Sequence, residues 1–172
     1  GQRSSAKGKT IFVGSTLSKE GKSFIAINLA FSLAISGKKV LLMGLDIRAP
    51  KVLQYFDLEE TKGITNFVSD RDIQLNDIIL PAPGIANMDL MPSGTIPPNP
   101  AELLMHERIG ELFASVKDRY DYVIVDTAPI GMVTDTLLVG DHADVFIYVL
   151  RAYYLERRLL SVAEDLYKGK HL

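Results

Sequence analysis

The sequence predicts an α/β fold: a mostly parallel central sheet covered by helices on both faces, a three-layer sandwich. Three observations carry that expectation. Short apolar runs alternate with longer segments of helical periodicity, the pattern of strand–helix–strand units. Several runs are apolar at consecutive positions, as strands buried on both faces must be. They are also rich in β-branched and aromatic residues, which favours strand over buried helix.

The predicted strands are 10–13, 39–43, 88–91, 122–125 and 145–150. Residues 22–36 read as the clearest helix, apolar nearly all round and therefore expected to be deeply packed. Gly37 is its expected stop, with Lys38 and Lys39 near the negative end of the dipole. Pro97-Pro98-Asn99-Pro100 leads into a helix over 100–117, with Asn99 as cap, Pro100 at the first helical position and Glu102 three residues after the cap. Leu103, Leu104, Ile109, Leu112, Phe113 and Val116 give it an apolar stripe. Further helices are expected over 134–140 and 156–167, and short ones near 51–56, 63–68 and 75–79.

A chain of 172 residues, 47% hydrophobic and 23% charged, suits one domain with a full core. The formal net charge of −2 provides no basic field to recruit nucleic acid or an anionic membrane. Cysteine is absent, which excludes disulfides and thiolate metal sites, and three scattered histidines argue against a histidine site. No stretch approaches the ~20 apolar residues that span a bilayer; the longest, 24–35, is broken by Asn28 and Ser32. No signal peptide is visible. The polar start 1–9 and the abrupt end 168–172 read as cuts in a longer protein, so 1–172 is expected to be a single domain truncated at both ends.

Residues 10–23, TIFVGSTLSKEGKS, read as strand, loop and helix, the setting of a phosphate-binding P-loop. Gly21 lets the backbone approach a phosphate, and successive N–H groups over 18–23 form an anion cradle at the helix N-terminus. Ser18, Lys19, Glu20, Gly21, Lys22, Ser23 and Phe24 are the candidate ATP-binding residues. Lys22 is placed to reach the β- and γ-phosphates, and Ser23 to bind Mg²⁺. Thr16 stands where the strict pattern has glycine, so the Gly-Lys-Ser tripeptide alone also fits a polar strand-to-helix turn.

Two acidic motifs favour the phosphate reading. The run 122–126 is four apolar residues ending in Asp126, a carboxylate delivered to the sheet edge where open α/β folds bind ligands. The run 40–50 ends a second apolar strand in Asp46 and Arg48, two apart and able to face one side. Ser23, Asp46 and Asp126 are the candidate Mg²⁺ ligands; Lys22, Asp46, Arg48 and Asp126 are the candidate catalytic residues. Each acidic motif alone also fits an ordinary strand-end aspartate or a surface Asp–Arg pair.

In order and spacing these motifs resemble the bacterial tyrosine kinases of exopolysaccharide synthesis, P-loop NTPase-like proteins in the superclass of the partitioning and septum-site ATPases. The resemblance runs over nearly the whole chain: EGKSFIAINLA at 20–30, DIRAP at 46–50, PPNPAELL at 97–104, YDYVIVDTAP at 120–129 and Thr134-Asp135. The partitioning ATPases carry lysine four residues before the loop glycine, where this chain has Leu17. The resemblance implies a tyrosine (auto)kinase using ATP and Mg²⁺ on the cytoplasmic side of the plasma membrane. It implies as partners a membrane-spanning polysaccharide chain-length regulator, fused or separate, and neighbouring subunits in a ring.

Three departures stand out. Gly44 replaces the first aspartate of the family's Asp-x-Asp-x-Arg motif, which in the family is a candidate for accepting the tyrosine proton or helping to hold the metal; Asp46 is expected to do double duty. No tyrosine cluster ends the chain, and the N-terminal Glu/Arg-rich helix of the family is not present, both as truncation would give. By pattern the tyrosines, apart from Tyr153, Tyr154 and Tyr167, are expected in core or strand positions. His106 is expected on a solvated helix face, His142 beside Asp141 after a helix end, Arg151 at the surface, with the nucleotide base or a neighbouring subunit as the alternatives, and Arg157-Arg158 on a solvated face. Two alternatives remain beside the kinase reading: a partitioning-type ATPase switch, and a catalytically weakened nucleotide-sensing module.

Overall fold

The structure, a computed structural model, describes residues 7–130, 135–152 and 161–168. Strands β1 (Lys9–Ser15), β2 (Val40–Gly44), β3 (Leu80–Pro81), β4 (Met88–Met91), β5 (Tyr122–Asp126) and β6 (Val145–Val149) form one sheet in the order β3-β4-β2-β5-β1-β6. All pairings are parallel except the short β3, which lies antiparallel to β4. The helices are α1 (Lys22–Ile35), α2 (Val52–Tyr55), α3 (Ile64–Ser69), α4 (Pro100–Leu104), α5 (Glu107–Arg119), α6 (Asp135–Leu138) and α7 (Ser161–Lys168).

Alternation along the inner strands builds two cores, one per sheet face. Phe12, Leu41, Met43, Val123 and Val125 face one side with residues of α3, α4 and α5. Val13, Val40, Leu42 and Ile124 face the other with Ala26, Ala30 and Ala34 of α1. The three alanines, at most 2% exposed, let α1 lie close on the sheet. This is the expected three-layer arrangement, with every predicted strand present within two residues.

Four expectations need correction. The apolar character of α1 all round does not bury it all round: Phe24 is 61% and Ile35 68% exposed, because among the described residues only its sheet side is covered. The single helix over 100–117 is two: α4 ends at Leu104, and His106 caps α5 by accepting the Arg108 N–H on its Nδ1 at 3.2 Å. His106 is therefore a capping residue. Asn99 caps α4 by position only; its side chain donates to Glu102 Oε2 at 2.9 Å instead of to the helix end. The helix expected over 134–140 is the short α6 followed by a 3₁₀ turn, Gly140–His142, where the His142 ring stacks on Phe113 at 4.5 Å and burial lowers its pKa. The hairpin partner β3 escaped sequence reading because two residues carry no periodicity. Arg157, Arg158, Tyr153 and Tyr154 lie outside the described residues.

Gly37 ends α1 as expected, with φ 88° and the Lys38 N–H reaching back to the Leu33 carbonyl at 3.2 Å.

Candidate nucleotide site

Parallel strands β1, β5 and β2 end side by side, and the loop after β1, Asp126 and the Asp46–Arg48 segment meet at that edge. The loop after β1 turns into α1 through Gly21, whose φ of 89° needs no Cβ and whose Cβ position has no neighbour within 4 Å. Lys19 also has a positive φ, 64°, where an L side chain is strained. Lys19→Gly is therefore expected to stabilise the fold by about 1 kcal/mol, read as a higher urea midpoint at unchanged slope.

Thr16 explains its own departure from the glycine pattern. It is fully buried, and its hydroxyl is hydrogen-bonded to the Tyr148 hydroxyl of β6. The loop is cinched further by Ser15 Oγ donating to the Leu17 carbonyl at 2.7 Å and by Leu17 N–H donating to Glu20 Oε2 at 3.2 Å. Arg151 reaches the same loop, its guanidinium donating to the Lys19 carbonyl at 3.3 Å.

Lys22 and Ser23 open α1 and both are buried. Lys22 Nζ is hydrogen-bonded to Asp126 Oδ1, and Ser23 Oγ donates to Asp126 Oδ2 at 2.7 Å. One carboxylate at the end of β5 thus holds both loop side chains. The Leu45 N–H donates to the Asp126 carbonyl at 2.8 Å, which ties the end of β2 to the end of β5. Asp46 follows, 8% exposed, with Oδ1 accepting the Ala49 N–H at 3.0 Å. Burial pushes its carboxyl above the ordinary value; the Ala49 N–H and Lys22 oppose this, and Asp126 adds to it.

Arg48 stands at the rim, and Asp135 at the start of α6 holds it by two bonds, Nε to Oδ2 at 2.5 Å and a terminal nitrogen to Oδ1 at 3.0 Å. The Arg48 side chain is 42% exposed while Asp135 is almost fully buried, so the carboxylate fixes the guanidinium and not the reverse. Asp135→Asn should weaken nucleotide binding about tenfold, the size of one charge-assisted hydrogen bond, as read by calorimetric titration. Asp135→Glu should recover part of that loss in the same titration.

These residues border a cavity of about 560 Å³, within the range of small-molecule sites. Its walls include Leu17, Ser18, Lys19, Gly21, Lys22, Ser23, Asp46 and Arg48. Three predicted site residues do not line it. Glu20 turns its carboxylate back into the loop, and the Phe24 side chain points to solvent. Asp126 stands behind Lys22 and Ser23. Sequence reading missed Asp135 as a partner, and missed Lys51 and Tyr55, which also line the cavity. Tyr55 is 53% exposed and not a core or strand residue.

Ser23, Asp126 and Asp46 offer hard oxygen donors of the kind Mg²⁺ takes. Among the described residues no group of three or more His, Asp or Glu could hold a metal alone.

The fold and this loop-and-carboxylate arrangement define a P-loop nucleotide-binding domain. An AAA domain family matches residues 8–162. The chain is 37% identical over 157 residues to the tyrosine-protein kinase YwqD of Bacillus subtilis, covering 91% of this chain and 65% of that one. It is 34% identical over 165 residues to the tyrosine-protein kinase CpsD of Streptococcus agalactiae, covering 95% and 70%. The kinase domain of the Escherichia coli tyrosine kinase ETK superposes with a TM-score of 0.88 at 27% identity, over 96% of this chain and 64% of that one. This chain belongs to the bacterial tyrosine-protein kinase family. It spans 18% of the length of another relative, the tyrosine-protein kinase Wzc of Salmonella typhimurium, to which it is 40% identical over 131 residues. The septum-site protein MinD of Pyrococcus horikoshii shares the fold, with a TM-score of 0.76 at 20% identity. No helix among the described residues is long and apolar enough to cross a membrane.

Proposed function

We propose that the chain is the catalytic domain of an ATP-dependent protein tyrosine kinase that phosphorylates itself and regulates exopolysaccharide chain length and export. The observation that carries this reading is the meeting of Lys22, Ser23 and Asp126 beside Asp46 and Arg48 at one sheet edge, in a chain of this family. In the proposed chemistry the backbone of the loop and Lys22 hold the β- and γ-phosphates, and Arg48 supports the γ-phosphate. Ser23, Asp126 and Asp46 would hold Mg²⁺, which neutralises phosphate charge when bound. The acceptor phenol oxygen bonds to the γ-phosphorus as the bond to the β–γ bridging oxygen breaks. ADP leaves with that electron pair, and the phenol proton passes to Asp46. A carboxyl raised by burial is the better proton acceptor of the ordinary carboxylates.

The same reading assigns partners outside the chain: a membrane-spanning chain-length regulator, fused or separate, and further copies in a ring that present tyrosines to one another. The test is phosphotyrosine formation by the full-length protein with Mg-ATP. A full-length protein that binds ATP tightly and never labels a tyrosine would sink the reading.

A further inference from the structure

The cavity lined by the phosphate loop and Asp46 is also lined by Ala49, Lys51 and Tyr55. In-line phosphoryl transfer requires the acceptor oxygen on the side of the γ-phosphorus opposite the β-phosphate. With the β-phosphate in the loop after β1, the cavity residues left to border the acceptor are those at the end of β2 and the start of α2, with Ala128 and Pro129 after β5. The short helix is anchored there by Val52 and Leu53, 4% and 3% exposed. Lys51 and Tyr55 are four residues apart, so the anchored turn carries them on one side, and both line the cavity.

We propose that Lys51 and Tyr55 form the acceptor subsite, which takes the tyrosine of an acidic polypeptide segment. This rests on the kinase reading above and names its second substrate. The exposed Tyr55 ring offers a face for the incoming phenol ring to stack on. The Lys51 ammonium makes no ion pair among the described residues. Arg48, by contrast, is already engaged by Asp135. Lys51, at the start of α2, and Lys19, in the phosphate loop, are the cavity cations without an ion pair among the described residues, and Lys51 is the one that shares a helix turn with Tyr55. A carboxylate flanking the acceptor tyrosine can pair with it, a contact that sets selectivity and salt dependence.

Steady-state transfer from Mg-ATP to a random glutamate–tyrosine copolymer, with a lysine–tyrosine copolymer as contrast, tests this on the full-length protein. Wild type should prefer the acidic copolymer, and Lys51→Glu should reverse or abolish that preference. Tyr55→Ala should raise the acceptor KM about two- to tenfold, the scale of one aromatic pair. Tyr55→Phe should restore it, and the KM for ATP should stay unchanged throughout. Gln54→Ala is the control, because Gln54 lines a separate cavity with Pro50, Glu60, Thr95 and Ile96. An unchanged acceptor KM in the Lys51 and Tyr55 variants, or a parallel rise in the KM for ATP, overturns the subsite and leaves the kinase reading standing. Loss of all chain labelling in Tyr55→Phe would make Tyr55 an acceptor itself and also overturn the subsite. Wild-type protein that binds ATP and labels neither copolymer nor itself overturns both.

Discussion

Lys22→Met is expected to abolish phosphotyrosine labelling, lowering the transfer rate by about 10³-fold, as the loss of a preorganised charge at a transferring phosphoryl group does. The second effect is on folding. Lys22 and Asp126 form a buried ion pair with side chains 8% and 5% exposed. Removing the cation strands a carboxylate in the interior, which costs about 3–5 kcal/mol when nothing replaces the partner. The Ser23 hydroxyl still donates to Asp126, so the low end of that range is expected. Lys22→Met combined with Asp126→Asn should recover most of the stability, since the stranded charge is gone, and none of the activity. Urea unfolding with and without ATP separates the two effects. ATP should stabilise wild type in proportion to the logarithm of its concentration and should not stabilise either variant. A Lys22→Met protein with wild-type stability would show that the ion pair does not form in solution. One that still labels tyrosine would remove Lys22 from the chemistry.

The parts of this site that could be read from sequence are those in which local pattern and chemistry coincide. A both-faces-apolar strand ending in Asp126, and a strand-loop-helix ending in Gly21-Lys22-Ser23, state their own geometry, because parallel strands deliver their C-terminal residues to one edge. What stayed hidden are contacts between segments far apart in the chain. Asp135 meets Arg48 across 87 positions, and Thr16 meets Tyr148 across 132. No period or spacing encodes either. The Thr16 case is instructive: a departure from a motif looked like weakness and is a hydrogen bond to the neighbouring strand. The exposed face of α1 shows the opposite error. Apolar composition all round reads as burial all round, whereas Ala26, Ala30 and Ala34 are fully covered, Ile27, Leu29 and Leu33 are half-buried against the same core, and Phe24, Phe31 and Ile35 face outward. By pattern Tyr55 is expected in a core or strand position, yet α2 is one turn long and buries only Val52 and Leu53.

Gly44→Asp, which would complete the family's Asp-x-Asp-x-Arg pattern, is expected to weaken the protein when made alone. A Cβ at Gly44 would lie 2.9 Å from Val52 Cγ2 and 3.2 Å from Ser93 Oγ. Val52 is 4% exposed and β-branched, so its methyl has little freedom to swing away. Ser93 is held in place by donating to the Gly44 carbonyl at 2.7 Å. Overpacking of this kind costs about 1–3 kcal/mol. The new carboxylate would also enter beside Asp126, the register partner of Gly44 on β5, and close to the buried Asp46, adding like-charge repulsion. The space that an aspartate would need at this position is occupied by α2 and the segment carrying Ser93, so introducing the acid requires making room for it. Gly44→Asp with Val52→Ala supplies it by removing the contacting methyl. In the double variant the rate of tyrosine transfer should rise by about tenfold, below the 10²–10⁴ of a full general base because a loose transition state makes little early demand on one. Thermal unfolding of the single variant and transfer rates of the double variant, with acceptor KM as a check that α2 keeps its place, decide the matter. A single variant as stable as wild type would mean the packing around Gly44 yields. A double variant that folds and gains nothing would mean Asp46 already meets the whole demand for a proton acceptor, and that Gly44 is a compensated substitution and not a lesion.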